Sequence, residues 1–126
     1  MQYKQSELTV TGDGGSEYKV AVRKNLIDTL DFSVLLLYLP KDGGRPFVLR
    51  RYNGKHFHKN ILEGTELHGF HVHTATERYQ EAGLKPDGYA EASEEYASVN
   101  QAIECLFRDA NFQRGMDQRL NGFGGE

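Results

Sequence analysis

The sequence predicts an α+β domain: a curved antiparallel sheet of about six strands, with one long C-terminal helix packed on one face. Three observations lead there. Apolar and polar side chains alternate through much of the first two thirds of the chain, the period of a strand with one wet face. Glycine-rich turn signals interrupt that alternation where hairpins need them. In the last third the apolar residues recur at intervals of three and four, the period of a helix.

The first strands are "ELTVT" and "EYKVAVRK", flanking "GDGGS" as an opening hairpin. In the second of them Tyr18, Val20 and Val22 alternate with Lys19, Ala21 and Arg23. "FSVLLLYLP" is apolar at nearly every position and reads as a central strand covered on both sides. "KDGGR" turns the chain and "PFVLRRY" runs back.

In "SEEYASVNQAIECLFRDANF" the residues Tyr96, Val99, Ile103, Leu106, Phe107 and Ala110 fall on one stripe. Ser98 with Gln101 makes a capping box, Ser93 offers a competing cap one turn earlier, and Asn111 closes the end. A shorter helix is expected in "TATERYQEAGL", ending at Gly83.

Length and composition fit a single domain over residues 1–112, followed by a Gly-rich flexible tail over 113–126. The formal charge of −3 argues against a general nucleic-acid or anionic-membrane binder. Locally the balance differs. From Lys41 to Lys59 there are six basic residues and one acidic residue, whereas Glu77 to Glu95 is dominated by carboxylates. The single cysteine, Cys105, excludes an internal disulfide and a Cys-based zinc site. The longest apolar run, Val34 to Leu39, is too short to span a bilayer, and the N-terminal residues lack the apolar core of a signal peptide. The expectation is a cytoplasmic protein without membrane contact.

All five histidines lie between Gly54 and Gln80, and four of them form two His-x-His pairs, His56/His58 and His71/His73. On a strand each pair points one way, with its members about 7 Å apart. A two-residue type II′ turn at Gly64-Thr65 would pair His58 with His71 and His56 with His73, gathering four imidazoles into one patch. The opposite face would then carry Phe57, Ile61, Phe70 and Val72 into the core, with His68 at its edge. A type I′ turn at Asn53-Gly54 would add Arg51 opposite His56 and Leu49 opposite His58. Both turns together make strands 46–52, 55–62 and 67–73 a meander.

Three readings of the patch stand side by side. In one, the histidines are polar residues on a wet sheet face. In another they perform acid–base chemistry on a phosphodiester: imidazole titrates near neutrality, so one ring takes a proton while a neighbour gives one, and Arg51 or Lys55 stabilises the developing charge. Glu77, Arg78 and Tyr79 would line the edge. In the third, neutral imidazoles of His56, His58, His71 and His73 bind zinc or nickel. A cupin motif fits His56, His58 and Glu63, but no histidine follows Pro86-Asp87-Gly88 where the second motif needs one. Cys105 reads as a packing residue.

The segments "VLRRYNGKHFHKN" and "GFHVHTATERYQEAGLKPDGYAEAS", with a helix ending "LFRDANF", resemble an uncharacterised family of small prokaryotic proteins often carried on mobile elements. Its members share an Arg-Tyr-Asn-Gly-x-His segment and a His-x-His-x-Ala-Thr-Glu-x-Tyr-Gln segment. The order of motifs is more distantly similar to that of TumE-type toxins, although "YNGK" stands where those carry a different segment. The resemblance marks Arg51, Tyr52, Asn53, His56, His58, His71, His73, Thr76, Glu77, Tyr79 and Gln80. It implies a small toxin-like or RNA-processing protein with an antitoxin protein as partner, and the basic segment from Lys41 to Lys59 would attract RNA or a nucleotide although the whole molecule is acidic. The alternative is a non-catalytic binding module for a protein or nucleic acid.

Overall fold

The computed structural model describes residues 3–112; the tail expected over 113–126 lies outside them. Eight strands and two helices follow one another as β1 (Tyr3–Thr11), β2 (Glu17–Asn25), β3 (Phe32–Leu39), β4 (Phe47–Asn53), β5 (His58–Lys59), β6 (Glu66–Leu67), β7 (His71–Thr74), α1 (Glu77–Glu81), β8 (Tyr89–Ala92) and α2 (Val99–Asp109). Six strands form one antiparallel sheet in the order β1-β2-β3-β4-β7-β8, and β5 and β6 form a separate two-stranded ribbon.

The first four strands follow from turn chemistry. Gly15 and Gly43 take positive φ at the β1–β2 and β3–β4 turns, a region open to glycine at no steric cost. Between β2 and β3, Asn25 turns the chain by accepting the amide hydrogens of Ile27 and Asp28 on its side-chain oxygen, an Asx turn. Along β3, Phe32, Val34 and Leu36 are buried while Leu35 and Leu37 remain half-exposed. The strand is central in the sheet, as expected, but well covered on one face only.

That covered face lies beneath α2. Ala102, Ile103, Cys105, Leu106 and Phe107 turn inward onto Val20, Val22, Val34, Leu36 and Tyr52. Each large apolar side chain buried in this way contributes about 1.5–3 kcal/mol. Ser98 is the cap: its Oγ accepts the amide hydrogen of Gln101, whose Oε1 accepts that of Ala97. The helix therefore starts at Ser98, not Ser93, and its 11 residues make about three turns, shorter than the long helix expected. Asn111 at φ 57° closes it. The short helix α1 also forms, capped by Thr76 and followed by Gly83 at φ 78°.

The meander expected around the histidines does not form. β7 pairs directly with β4, placing Arg51 opposite His73 and Asn53 opposite His71, and residues 54–70 leave the sheet as an excursion. Gly54 does not make a hairpin turn. Its amide hydrogen goes to the Phe32 carbonyl and that of Lys55 to the Leu30 carbonyl, so the chain keeps running beside the entry to β3. A Cβ on Gly54 would lie 2.0 Å from the Leu30 oxygen; glycine is needed here for close approach.

The bend at the tip of the excursion also differs. Asn60 and Thr65 close it through Asn60 N to Thr65 O, with Gly64 N on Asn60 O and Gly64 at φ 74°. The glycine ends a longer loop and does not open a two-residue turn. His58 therefore pairs with Leu67, four positions short of His71. Phe57 and Ile61, expected in the core, are 56% and 61% exposed, whereas Phe70 and Val72 do pack against it. His68 is exposed beside the Phe57 ring.

Gly54→Ala is expected to lower unfolding stability by at least about 2 kcal/mol, because a methyl group has no room against the Leu30 carbonyl. Gly69→Ala meets nothing within 4 Å and should stay within about 0.5 kcal/mol of the parent. Urea unfolding of the two variants checks the contrast.

Candidate functional site

Residues directly paired across neighbouring strands share a face, so Arg51, Asn53, His71 and His73 stand together on the side of the sheet away from α2. Their neighbours on β8 are Ala90 opposite His73 and Ala92 opposite His71, small enough to leave room above the sheet. The excursion and the loop before β8 fill that room. His71 is 0% exposed and His73 3%: the face expected to be wet is closed here.

The four imidazoles do meet, by a route other than the expected hairpin. Ring centroids lie 4.5 Å apart for His58–His73, 5.1 Å for His71–His73, 5.7 Å for His58–His71 and 5.6 Å for His56–His71. The ribbon folds His58 over the sheet instead of setting it beside β7. His56 stays at the rim, its side chain 40% exposed and its Nε2 4.0 Å from Asp31 Oδ1.

Main-chain oxygens fix the ring protons. Nδ1 of His71 donates to the Gly69 carbonyl at 2.8 Å, Nδ1 of His73 to the Asp87 carbonyl at 2.9 Å, and Nε2 of His58 to the Gly88 carbonyl at 2.8 Å. Since a carbonyl can only accept, each of those nitrogens carries hydrogen. In the neutral ring the lone pair then sits on Nε2 of His71 and His73 and on Nδ1 of His58. Asn53 Nδ2 lies 3.5 Å from His71 Nε2, a long contact.

Burial chiefly, then the nearby Arg51 charge and the adjoining imidazoles, push His73 down to about 3. His71 is lowered too, by burial first, with the Gly69 carbonyl opposing and the charges of His56 and His58 adding to the shift. Both rings are neutral at physiological pH and cannot serve there as proton donors in the charged form.

Around them lies a framework that the sequence reading did not pick out. Asn60 is buried, and its side chain acts as a strand edge for Ala90: Nδ2 donates to the Ala90 carbonyl at 2.9 Å, and Oδ1 accepts the Ala90 amide hydrogen at 2.9 Å. Arg51 Nη2 bonds Asp87 Oδ2 at 2.6 Å, while Arg51 Nε is buried without a partner. Asp87 thus holds Arg51 by its side chain and His73 by its backbone. The signal for Asp87 and Gly88 was the Pro86-Asp87-Gly88 turn, noticed only for its likeness to a cupin motif. Asn60 had no signal beyond its spacing of two from His58.

The remaining predicted residues divide. Tyr52 points to the other face, buried under α2 with its hydroxyl on Asp109. Thr76 caps α1. Tyr79 is buried and donates to Glu63 at 2.6 Å, and Arg78 bonds the second Glu63 oxygen, so this trio ties α1 to the excursion. The Tyr79 hydroxyl, foremost, holds the Glu63 carboxyl below its ordinary range. Lys55, Glu77 and Gln80 are exposed, and nothing places Glu77 or Gln80 on the imidazoles.

Among the described residues no group of three or more His, Cys, Asp or Glu side chains is arranged to hold a metal ion. Nor is any helix among them long and apolar enough to cross a membrane. The site and fold together define an antiparallel α+β domain with a polar, imidazole-rich interior beneath a loop cover. No family model matches the chain, and no curated protein or solved structure does either.

Between the unfolded imidazole value near 6.5 and the folded value of about 3 for His73, the unfolded chain binds the extra proton. Stability is then full above pH 6.5 and falls with decreasing pH, by up to about 1.4 kcal/mol per unit for this group. His73→Asn retains a donor near the Asp87 carbonyl but does not titrate. Denaturation midpoints measured from pH 7.5 to pH 4.5 should fall less steeply for that variant than for the parent.

Proposed function

We propose that this chain is a binding module for a phosphate-bearing partner, RNA or a nucleotide, in which the buried imidazoles shape the recognition face. The observation that carries this reading is the commitment of three of the four rings to main-chain oxygens of Gly69, Asp87 and Gly88. Those bonds hold the cover on the sheet and leave cationic groups at its edge. Lys55 is exposed and Arg51 keeps 27% of its side chain accessible, within a segment whose charge is strongly positive despite the acidic total. Phosphate contacts from such groups supply most of the affinity for nucleic acid and make it sensitive to salt. A buried thiol at Cys105 accords with a reducing, cytoplasmic setting.

One observation favours a second reading, the toxin-like RNA-processing activity that the motif resemblance implies. His56 is half-exposed, sits against His71, and has a carboxylate of Asp31 near its Nε2, so among the four clustered rings it combines access with a partner suited to proton transfer. An antitoxin covering the face would then be its natural ligand.

Fluorescence anisotropy with a labelled single-stranded RNA separates the readings. Binding should weaken at least tenfold between 50 and 200 mM salt, and Arg51→Ala should weaken it further, with the RNA intact after incubation. Cleavage of the RNA, abolished by His56→Ala in a protein that remains folded, would replace binding by catalysis. Absence of cleavage, and of binding to RNA and to a mononucleotide alike, would overturn the two together.

A further inference from the structure

A cleft of about 290 Å³ opens where β4 begins, against the loop that carries Asp87. Three cations line it, Arg45, Arg51 and Lys85, together with the apolar surfaces of Phe47 and Pro86. The one carboxylate, Asp87, is already engaged by Arg51 at 2.6 Å. Three positive charges less one negative charge leave the cleft at +2. Arg51 gives Nη2 to Asp87 and keeps 27% of its side chain accessible.

We infer that this cleft seats the phosphomonoester of a single nucleotide, its phosphate on Arg45, Arg51 and Lys85 and its base against Phe47 and Pro86. The inference rests on the phosphate-binding reading above and narrows it. A phosphomonoester carries about −1.5 to −2 at neutral pH, which matches the cleft, whereas an internal phosphodiester or a carboxylate brings a single charge. The volume lies just below the roughly 300–1,000 Å³ usual for small-molecule sites, suiting at most one nucleotide and not a length of strand. A flat aromatic and a proline beside a cationic group form a surface on which any base can stack. The cleft and the imidazoles also share a wall, because Asp87 accepts the His73 ring proton on its backbone oxygen while its carboxylate holds Arg51.

The test uses the full chain, labelled with ¹⁵N and titrated separately with AMP, adenosine and inorganic phosphate. AMP should shift the amide signals of Arg45, Phe47, Val48 and Lys85 in a saturable manner, inorganic phosphate should compete with it, and adenosine should leave them unmoved. Arg45 and Lys85 are exposed, so the double variant Arg45→Ala/Lys85→Ala should keep the parent spectrum and bind AMP at least tenfold more weakly. Short RNAs with and without a 5′-phosphate identify the source. Preference for the phosphorylated RNA over AMP marks an RNA end as the ligand, and equal or tighter binding of AMP marks a free nucleotide; either result supports the cleft. Adenosine binding as well as AMP, or AMP shifts confined to other residues, overturns it. If RNA binds in a salt-dependent way equally with and without a 5′-phosphate while AMP does not bind, the cleft assignment falls and the broader binding reading stands. If neither binds, both fall.

Discussion

The pairing of β4 with β7 is the constraint on which the rest of this structure depends. It sets two histidines, an arginine and an asparagine on a sheet face that the helix does not cover. Four polar groups so placed would be unremarkable in water. Here the chain covers them, and a covered polar group must find hydrogen-bond partners or cost about 1–3 kcal/mol each. The carbonyls of Gly69, Asp87 and Gly88 meet that demand for three imidazoles, and the Asn60 side chain stitches the excursion to the edge strand β8. The cover and the buried rings therefore require each other: without the rings the loops lose their anchors, and without the loops the rings return to solvent.

Such an arrangement favours the neutral imidazole. Burial penalises the charged ring, and the guanidinium of Arg51 adds to that penalty at His73. The guanidinium of Arg51 is paired with the Asp87 carboxylate at 2.6 Å. A positive group and neutral rings are thus held side by side with their protons at defined atoms.

Much of the sheet was legible in the sequence because its determinants are local. Alternation along β2, the glycines at positive φ after β1 and β3, and the Ser98–Gln101 cap each act within a few residues, and each lies where the pattern put it. The excursion was not legible, for a physical reason. Asn53-Gly54 and Gly64-Thr65 carry the letters of hairpin turns, yet glycine answers several demands: Gly54 is there because the Leu30 carbonyl comes too close for a side chain, and Gly64 because a longer loop ends in the left-handed region. Both are settled by contacts distant in sequence. The apolar face expected of Phe57 and Ile61 failed with the register, since neither residue faces the core once β7 leaves the ribbon to join β4. The site fared differently. His56, His58, His71, His73 and Arg51 were brought out by their clustering and do meet, but Asn60 and Asp87, which hold them, bear on Ala90 and Arg51 from 30 and 36 positions away, too far for any local pattern to reveal.

The central claim is that His71 and His73 lie beneath a main-chain cover instead of on an open face. Acylation of the native protein by diethyl pyrocarbonate, followed residue by residue by mass spectrometry, tests it most directly. The reagent attacks neutral imidazole, and both rings are neutral near pH 7, so their protection would report burial and not protonation. His68, 72% exposed at its side chain, should react first and His56 next, with His71 and His73 modified only once the protein is unfolded. Modification of His71 and His73 at the rate of His68 in the folded protein would contradict the account.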